Sequence, residues 1–377
     1  GYAVRYRDPG IVEFNDPKLT AIFERLLKHD FTFLGNGSIK LPDWLKDEDI
    51  QINGAKYRMG IGGLHSCEKS QYIEAGDGIL CDWDVASYYP SIILEQRLAP
   101  AAMGKDFLEL YQSIVTRRLE AKAAGDKVGA DSGKVQVNGS FGKLGSKYSP
   151  LYAPALLLQT TITGQLCLLM LIEWMTRRTG GINIMSANTD GIVCACFKDQ
   201  ERAMEIVAWD WMLQTSYALE RTNYRMIASR DVNNYFAVKT NGKVKRKGIF
   251  NVGGLMKNVD RPIVYTAVIN FLKDGTAIED TVNGCSDPAQ FVTIRKVTGG
   301  AKWNGEEIGK AIRYYASTEA LFIDPCIHYV LNGNKVSKST GCRPLMEMGD
   351  TVPSDLNYQA YIDEAQKLLR EVGYAGA

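Results

Sequence analysis

Two acidic residues stand where buried strands are expected to end. The stretch "GILCDWDV" at 78–85 is typical of a buried strand ending near Asp84, and Asp190 lies in the turn "NTDG" between two predicted strands. If the strands are neighbours in one sheet, both carboxylates lie at one edge. Mg²⁺ prefers oxygen ligands and usually takes one or two carboxylates together with substrate phosphates. The pair therefore suggests phosphoryl transfer with two ions roughly 3.5–4 Å apart, although Asp is also common in ordinary turns.

The chain between these two Asp residues carries polar side chains at helical spacing. Lys134 and Asn138 are four residues apart, as are Arg118 and Lys122 on the preceding predicted helix, so each pair shares one helix face. Two such helices side by side would offer cations to a triphosphate through charge-assisted hydrogen bonds. The alternative is a pair of solvated helices with ordinary surface charges.

Hydrophobic periodicity predicts the elements that must position these residues. Helices are predicted over 17–29, 104–124, 127–141, 153–175, 199–216 and near 355–371. Strands are predicted over 78–85, on both sides of the 188–191 turn, and in a hairpin over 234–250 around Asn241-Gly242. The apolar stretch 153–175 has polar residues in its middle, which favours a buried core helix over a membrane span.

The composition is that of an ordinary soluble globular protein with a locally basic segment. The 377 residues suit two or three subdomains, and 45% are hydrophobic and 23% charged. The net charge of +1 hides an excess of +7 in 221–250 (eight Lys and Arg minus one Asp), whereas 1–100 carries −4 (eleven minus fifteen). A local basic patch is enough to follow a phosphate backbone.

The eight Cys include no Cys-x-x-Cys pair and have no His at metal-ligand spacing. This argues against a zinc site and a secreted disulfide framework, and it favours a reducing compartment. Cys194 and Cys196 are predicted to be buried thiols of one strand. The first residue is Gly and no signal peptide follows, which suggests a piece of something longer.

Three motifs in order give the sequence a family resemblance. "DVASYYPSII" at 84–93, "KVQVNGSFG" at 134–142 and "NTDG" at 188–191 resemble motifs A, B and C of family B DNA polymerases, usually D-x-x-S-L-Y-P-S-I-I, K-x-x-x-N-S-x-Y-G and D-T-D-S. "GIGGLHS" at 60–66 and "RYY" at 313–315 resemble phage members. The resemblance is firm from about Gly60 to Phe250 and loose in the C-terminal third.

The resemblance implies an α+β fold of the right-hand polymerase type, with a palm of antiparallel sheet plus helices, helical-hairpin fingers and a mainly helical thumb. The implied ranges are 1–78 for an N-terminal region packing on the palm, 79–101 for the palm with motif A, 102–147 for the fingers, 148–260 for the palm with motif C and the basic hairpin, and 261–377 for the thumb. A monomer without a membrane partner is expected, in the cytoplasm (of a bacterial host if the protein is viral).

The resemblance also assigns roles around the two Asp residues. Asp84 and Asp190 would be catalytic metal ligands, helped by the Val85 carbonyl, for two Mg²⁺ ions that Mn²⁺ can replace. Backbone N–H groups of Ala86, Ser87 and Tyr88 would bind the triphosphate. Tyr89 would be the steric gate against a 2′-hydroxyl, its ring fixed by Pro90 in the first turn of a helix.

The fingers would supply the remaining contacts to the nucleotide. Arg118, Lys122 and Lys134 would bind phosphates, and Lys134 would assist the leaving pyrophosphate. Asn138 would line the pocket of the nascent base pair. The resemblance leaves open whether Arg117 or Arg118 faces the site, and the spacing from Lys122 favours Arg118.

Duplex DNA would be held outside this pocket. The expected DNA-binding residues are Gly142, Tyr235, Lys243, Lys245 and Lys247. The three Lys alternate along the predicted hairpin, so they would face one side and contact successive phosphates. The alternative is that a basic edge strand only protects against aggregation.

The sequence departs from the family at several places. Asn188 replaces the first Asp of motif C, Gly191 replaces its Ser, and Asn233 stands where the family often has a Lys. Motif spacing predicts compact fingers and no strand-displacement subdomain. No Asp-x-Glu precedes Asp84, so a proofreading exonuclease is expected to be absent from this chain.

The expected function is DNA-directed DNA synthesis from dNTPs on a primer–template, with release of pyrophosphate. A separate exonuclease or processivity factor is an expected further partner. Two alternatives remain open at this point. One is a catalytically weakened primer–template or replisome-binding module, in which Asn188 reflects lost metal binding. The other is an RNA-using nucleotidyltransferase, against which Tyr89 argues.

Overall fold

The computed structural model describes residues 3–252 and 259–376, and it has a mixed α+β fold with antiparallel sheets. The mixed α+β class expected from the sequence is therefore confirmed. Residues 1–2, 253–258 and 377, which the expected domain ranges include, lie outside the described residues.

The strands are β1 Ala3–Arg5, β2 Asp30–Thr32, β3 Ile50–Ile52, β4 Ala55–Met59, β5 Leu64–Ser66, β6 Gln71–Glu74, β7 Ile79–Val85, β8 Asn183–Asn188, β9 Gly191–Cys196, β10 Leu219–Asp231, β11 Asn234–Lys239, β12 Val244–Lys247, β13 Thr293–Trp303, β14 Glu306–Ala316, β15 His328–Tyr329 and β16 Cys342–Pro344. The helices are α1 Pro17–Lys28, α2 Asp43–Lys46, α3 Tyr88–Glu95, α4 Gly104–Ala123, α5 Lys127–Lys143, α6 Pro154–Arg178, α7 Glu201–Thr215, α8 Pro262–Asp274, α9 Ile278–Asn283, α10 Ala320–Ile323 and α11 Tyr358–Glu371. Short 3₁₀ turns cover Lys198–Gln200, Gly248–Phe250 and Pro288–Phe291.

The chain forms two compact units. The first runs to Glu68 and resumes over Glu74–Arg225, and the second takes Lys69–Ile73 and everything from Met226 onward. The division falls inside β10, between Arg225 and Met226, whereas the sequence placed the boundary between palm and thumb at residue 260. It falls there because Met226 and Ala228, two residues further along the strand, belong to the core of the second unit. The hairpin over 234–250 is therefore part of the second unit.

In the first unit, the start of β10 is followed across an antiparallel sheet by β7, β9, β8, β5, β4 and β3. The helix α6 is the centre of the core beside this sheet, and its residues from Leu158 to Thr176 are all buried. It is also the one helix of the described residues that is long and apolar enough to cross a membrane, and 83% of its most apolar stretch of 18 residues is buried inside the protein. The predicted core helix is thus confirmed.

The polar residues in the middle of α6 are used inside the unit. Gln165 bonds both the N–H and the carbonyl of Gly60, at 2.9 and 2.8 Å. Gln159 does the same for Arg7, at 3.0 and 2.7 Å. Burying an amide without a partner is costly, so these bonds fix the loops that α6 touches, including the glycine-rich stretch around Gly60.

The helices α4 and α5 form the predicted antiparallel hairpin. Asp126 caps α5 by accepting a hydrogen bond from the N–H of Gly129 at 3.0 Å. The two helices approach closely at Gly133, where an added Cβ would lie only 2.8 Å from the Cβ of Arg118. This close approach fixes how the Arg118 face of α4 lies against α5.

The second unit corrects the expectation of a mainly helical segment over 261–377. In addition to helices α8, α9 and α11, it contains a four-stranded antiparallel sheet in the order β15-β13-β14-β16. The Asn304-Gly305 turn joins the two long strands with positive φ at both residues, 49° and 78°, as a type I′ hairpin requires. The register shift between Lys296 and Ala301 breaks the strand periodicity around Gly299-Gly300, which is why the pattern misleads.

Candidate active site

The sheet of the first unit brings the two predicted carboxylates to one place. The strands β7 and β9 are antiparallel neighbours, and Asp84 is the cross-strand partner of Gly191. Asp190 is the residue just before Gly191, in the two-residue turn between β8 and β9. Its carbonyl accepts a hydrogen bond from the N–H of Val85 at 2.7 Å. Asp84, Val85 and Asp190 all line one cleft, so the predicted juxtaposition of the acidic pair is confirmed.

Gly191 gives the Asp84 carboxylate its room. A Cβ at position 191 would lie 2.2 Å from Oδ1 of Asp84 and 3.0 Å from the carbonyl oxygen of Trp83. The Asp84 carboxylate therefore occupies the space that a side chain at position 191 would need. Thr189, in the same turn, has a left-handed φ of 53° and lies against Gly63, where an added Cβ would be 2.7 Å from the Thr189 hydroxyl.

The residues after Asp84 turn from the strand into helix α3. Ser87 precedes the helix with a left-handed φ of 47°, and the first N–H groups of a helix have no intrahelical acceptor. The N–H groups of Ser87 and Tyr88 thus have no acceptor within α3, and their binding of a triphosphate stays a prediction. The prediction that the N–H of Ala86 binds the triphosphate is corrected. This N–H donates a hydrogen bond to the Ala218 carbonyl at 2.8 Å at the edge of the sheet, so it is already used within the protein.

Tyr89 is held on several sides. Its hydroxyl donates to the Gly62 carbonyl, and its ring lies 4.8 Å from the Phe141 ring of α5, centroid to centroid. Gly164 of α6 leaves no spare room beneath it, since a Cβ there would be 3.0 Å from the Tyr89 ring. Burial, and secondarily the charge of Asp190, raises the pKa of the Tyr89 phenol, so the hydroxyl stays protonated at neutral pH.

The helical hairpin supplies the cations of the cleft. Arg118 and Lys122 on α4 and Lys134 and Asn138 on α5 all line it. Nη1 of Arg118 donates to the Ser87 hydroxyl at 2.8 Å, which joins α4 to the turn before α3. Arg117 is exposed and donates back to its own helix at the Ser113 carbonyl. The structure thus places Arg118 in the cleft, as the spacing favoured.

Several residues of the cleft were not assigned a role from the sequence. These are Leu119, Phe141, Thr189 and Glu220. Glu220 is the most consequential, because it adds a carboxylate to the wall formed by the sheet. It lies on β10, and no sequence signal pairs β10 with β7, so only the fold reveals it.

The cleft has a volume of about 390 Å³ and a clear separation of charge. The carboxylates of Asp84 and Glu220 lie on strands of the sheet, that of Asp190 lies in the turn between β8 and β9, and the cations lie on the helical hairpin. Among the described residues, no group of three or more His, Cys, Asp or Glu is arranged to hold a metal ion. Two carboxylates fit the needs of Mg²⁺, which completes its shell with water and substrate phosphates. Asn188 is not among the lining residues.

The predicted DNA-binding residues do not share this cleft. Gly142 is an exposed residue of α5 outside the lining, and an added Cβ there would meet nothing within 4 Å. Tyr235, Lys245 and Lys247 belong to the second unit, where Tyr235 pairs with Lys247 and Ala237 with Lys245. Alternation puts these pairs on the sheet face opposite Val244 and Val238.

Lys243 comes one residue before β12, where its carbonyl accepts a hydrogen bond from the Lys239 N–H at 2.8 Å. The hairpin expected around Asn241-Gly242 is confirmed, with a left-handed φ of 83° at Gly242. Its role in binding DNA stays a prediction.

No protein-family model matches the chain, and no curated protein matches it.

Proposed function

We propose that this protein is a template-directed DNA polymerase of the family B type, with a sheet that acts as the palm and the hairpin of α4 and α5 as the fingers. The observation that carries the proposal is the cleft itself. It gathers Asp84 and Asp190 on the sheet opposite Arg118, Lys122 and Lys134 on the hairpin. Asp84, Lys134 and Asp190 come from the three motifs, which are far apart in the chain, and Arg118 and Lys122 lie between the first and the second motif.

The division of charge suits a nucleoside triphosphate with bound divalent cations. Mg²⁺ held by Asp84 and Asp190 would supply charge stabilisation for an in-line attack of the primer 3′-hydroxyl on the α-phosphate. Arg118 and Lys134 make no ion pair with any described residue, so both are available to phosphate oxygens. Lys134 would neutralise the leaving pyrophosphate. Catalysis of this kind rests on positioning and electrostatics.

Primer extension tests the proposal directly. The purified chain should add single dNTPs to an annealed primer in the presence of Mg²⁺ or Mn²⁺, as dictated by the template base. A parallel assay for trimming of the primer 3′ end should show none from this chain. Absence of incorporation with every divalent metal would instead favour a primer–template binding module.

Tyr89 is expected to set sugar selection. Tyr89→Ala removes the ring that Phe141 and Gly62 hold in the cleft, and we expect the preference for dNTP over rNTP to fall by roughly tenfold to a hundredfold. Tyr89→Phe keeps the ring and serves as the matched control, with the preference largely retained. The measurement is the ratio of kcat/KM for a dNTP and its rNTP. An unchanged ratio in Tyr89→Ala would remove the gate assignment.

The basic hairpin is expected to contribute phosphate contacts. Replacing Lys243, Lys245 and Lys247 with Ala should weaken duplex binding and reduce the slope of log K against log salt concentration by about 3, since each phosphate contact contributes about 0.9. A matched control replaces three Lys of the other sheet of this unit, Lys296, Lys302 and Lys310. If both triple variants showed the same slope of log K against log salt concentration, the hairpin would have no specific role in binding DNA.

A further inference from the structure

The strand β10 places a carboxylate directly across from Asp84. Glu220 is the cross-strand partner of Asp84 in the antiparallel pair of β7 and β10, and directly opposed residues share one face of a sheet. Glu220 accordingly lines the same cleft as Asp84 and Asp190. Neither metal binding by the two Asp residues nor phosphate binding by the cations uses this third negative charge.

Glu220 pairs with a cation of the opposite wall. Nζ of Lys122 lies 3.0 Å from both Oε1 and Oε2 of Glu220. Lys122 stands in the last turn of α4, near the tip of the helical hairpin, so this ion pair bridges the cleft from hairpin to sheet. Of the three cations in the cleft, Lys122 is the one that a carboxylate of the described residues neutralises.

We propose that Glu220 is a positioning residue that holds Lys122 while no nucleotide is bound and yields it to the triphosphate of the incoming nucleotide. This inference rests on the proposed function. A triphosphate carries several negative charges and therefore competes well against one carboxylate for the same ammonium group. The side chains are 55% and 53% exposed, and ion pairs this exposed are weak, so the exchange is easy.

The arrangement distinguishes this role from metal binding. Both oxygens of Glu220 are engaged by Lys122, and the two carboxylates of Asp84 and Asp190 already meet the usual needs of Mg²⁺. Glu220 would thus act on nucleotide affinity through Lys122. Its expected signature is a change in nucleotide binding with little change in the chemical step.

A double-mutant cycle tests this role. The variants are Glu220→Gln, Lys122→Gln and the double variant, and the readouts are kcat and KM for dNTP in primer extension and the Kd of a fluorescent, non-hydrolysable dNTP analogue in the presence of primer–template. We expect Glu220→Gln to lower KM and Kd by roughly three- to tenfold, because it frees Lys122 and removes a repelling charge. The kcat should stay within about twofold. In the Lys122→Gln background most of this gain should disappear.

The control removes an exposed ion pair elsewhere in the same unit. Arg178 and Asp210 are 3.3 Å apart with side chains 41% and 48% exposed, and Asp210→Asn should change neither constant. Three results would overturn the role of Glu220: an unchanged Kd in Glu220→Gln, an equal gain in both backgrounds, or a higher KM with a greater Mg²⁺ requirement. The last would make Glu220 a metal ligand.

The two proposals fail in distinguishable ways. Wild-type protein that binds the analogue without extending a primer would refute the polymerase function, and the binding cycle would still decide the role of Glu220. Wild-type protein that extends a primer, combined with a flat cycle, would refute the role of Glu220 alone. Wild-type protein that neither binds nor extends would refute both.

Discussion

Replacing either Asp84 or Asp190 with Ala should reduce the rate of primer extension by roughly a thousandfold or more while leaving duplex binding largely intact. Both side chains line the cleft at the meeting point of β7 and β9. Each would hold divalent cations against the reacting phosphate, and such charge stabilisation is worth several kcal/mol of transition-state energy. Single-turnover extension measures the rate, and a filter-binding or anisotropy titration measures the duplex affinity.

The matched control for the acidic pair is Asp210→Asn, which removes a carboxylate of α7 that pairs with Arg178. Thermal unfolding of all variants separates a loss of chemistry from a loss of structure. Primer extension at a near wild-type rate by either Asp84→Ala or Asp190→Ala would refute the proposal that these two carboxylates hold the catalytic metal ions. If the Ala variants also unfold, the same measurements are made on Asp84→Asn and Asp190→Asn, which keep the shape of each side chain and remove its charge.

Gly191→Ala should lower the rate of primer extension strongly, although Gly191 has no functional side chain of its own. Its Cβ would approach Oδ1 of Asp84 to 2.2 Å, a separation that atoms do not tolerate, so the carboxylate must move away from its position in the cleft. A displacement of about 1 Å at a reacting centre costs roughly a hundredfold in rate. The crowding itself should cost about 1–3 kcal/mol of unfolding free energy. We expect extension to fall by roughly a hundredfold, with a measurable drop in Tm.

Gly139→Ala provides the matched comparison. Gly139 also belongs to a motif of the cleft region, in helix α5, but a Cβ there would meet nothing within 4 Å. Because Ala is the better helix former by up to about 1 kcal/mol, Gly139→Ala should keep its activity and gain slightly in Tm. If Gly191→Ala were as active as Gly139→Ala, the close contact between position 191 and Asp84 would not govern the geometry of the carboxylate.

The sequence by itself determined those parts of the site that depend on local pattern. A hydrophobic run that stops at Asp84, a tight turn at Asp190 and four-residue spacing on two helices are all properties of neighbouring residues. Local periodicity and turn chemistry control them, and for that reason the ends of β7, the turn between β8 and β9, and the hairpin of α4 and α5 lie where they were predicted.

The tertiary structure alone decided what depends on pairing between distant segments. Glu220 stands across from Asp84 because β10 pairs with β7, and the same edge takes up the N–H of Ala86 through Ala218. The long hairpin of β13 and β14 escaped prediction because its register shift disrupts the alternation of side chains. Strand register is set by which faces find a core, and that information is spread over the whole chain.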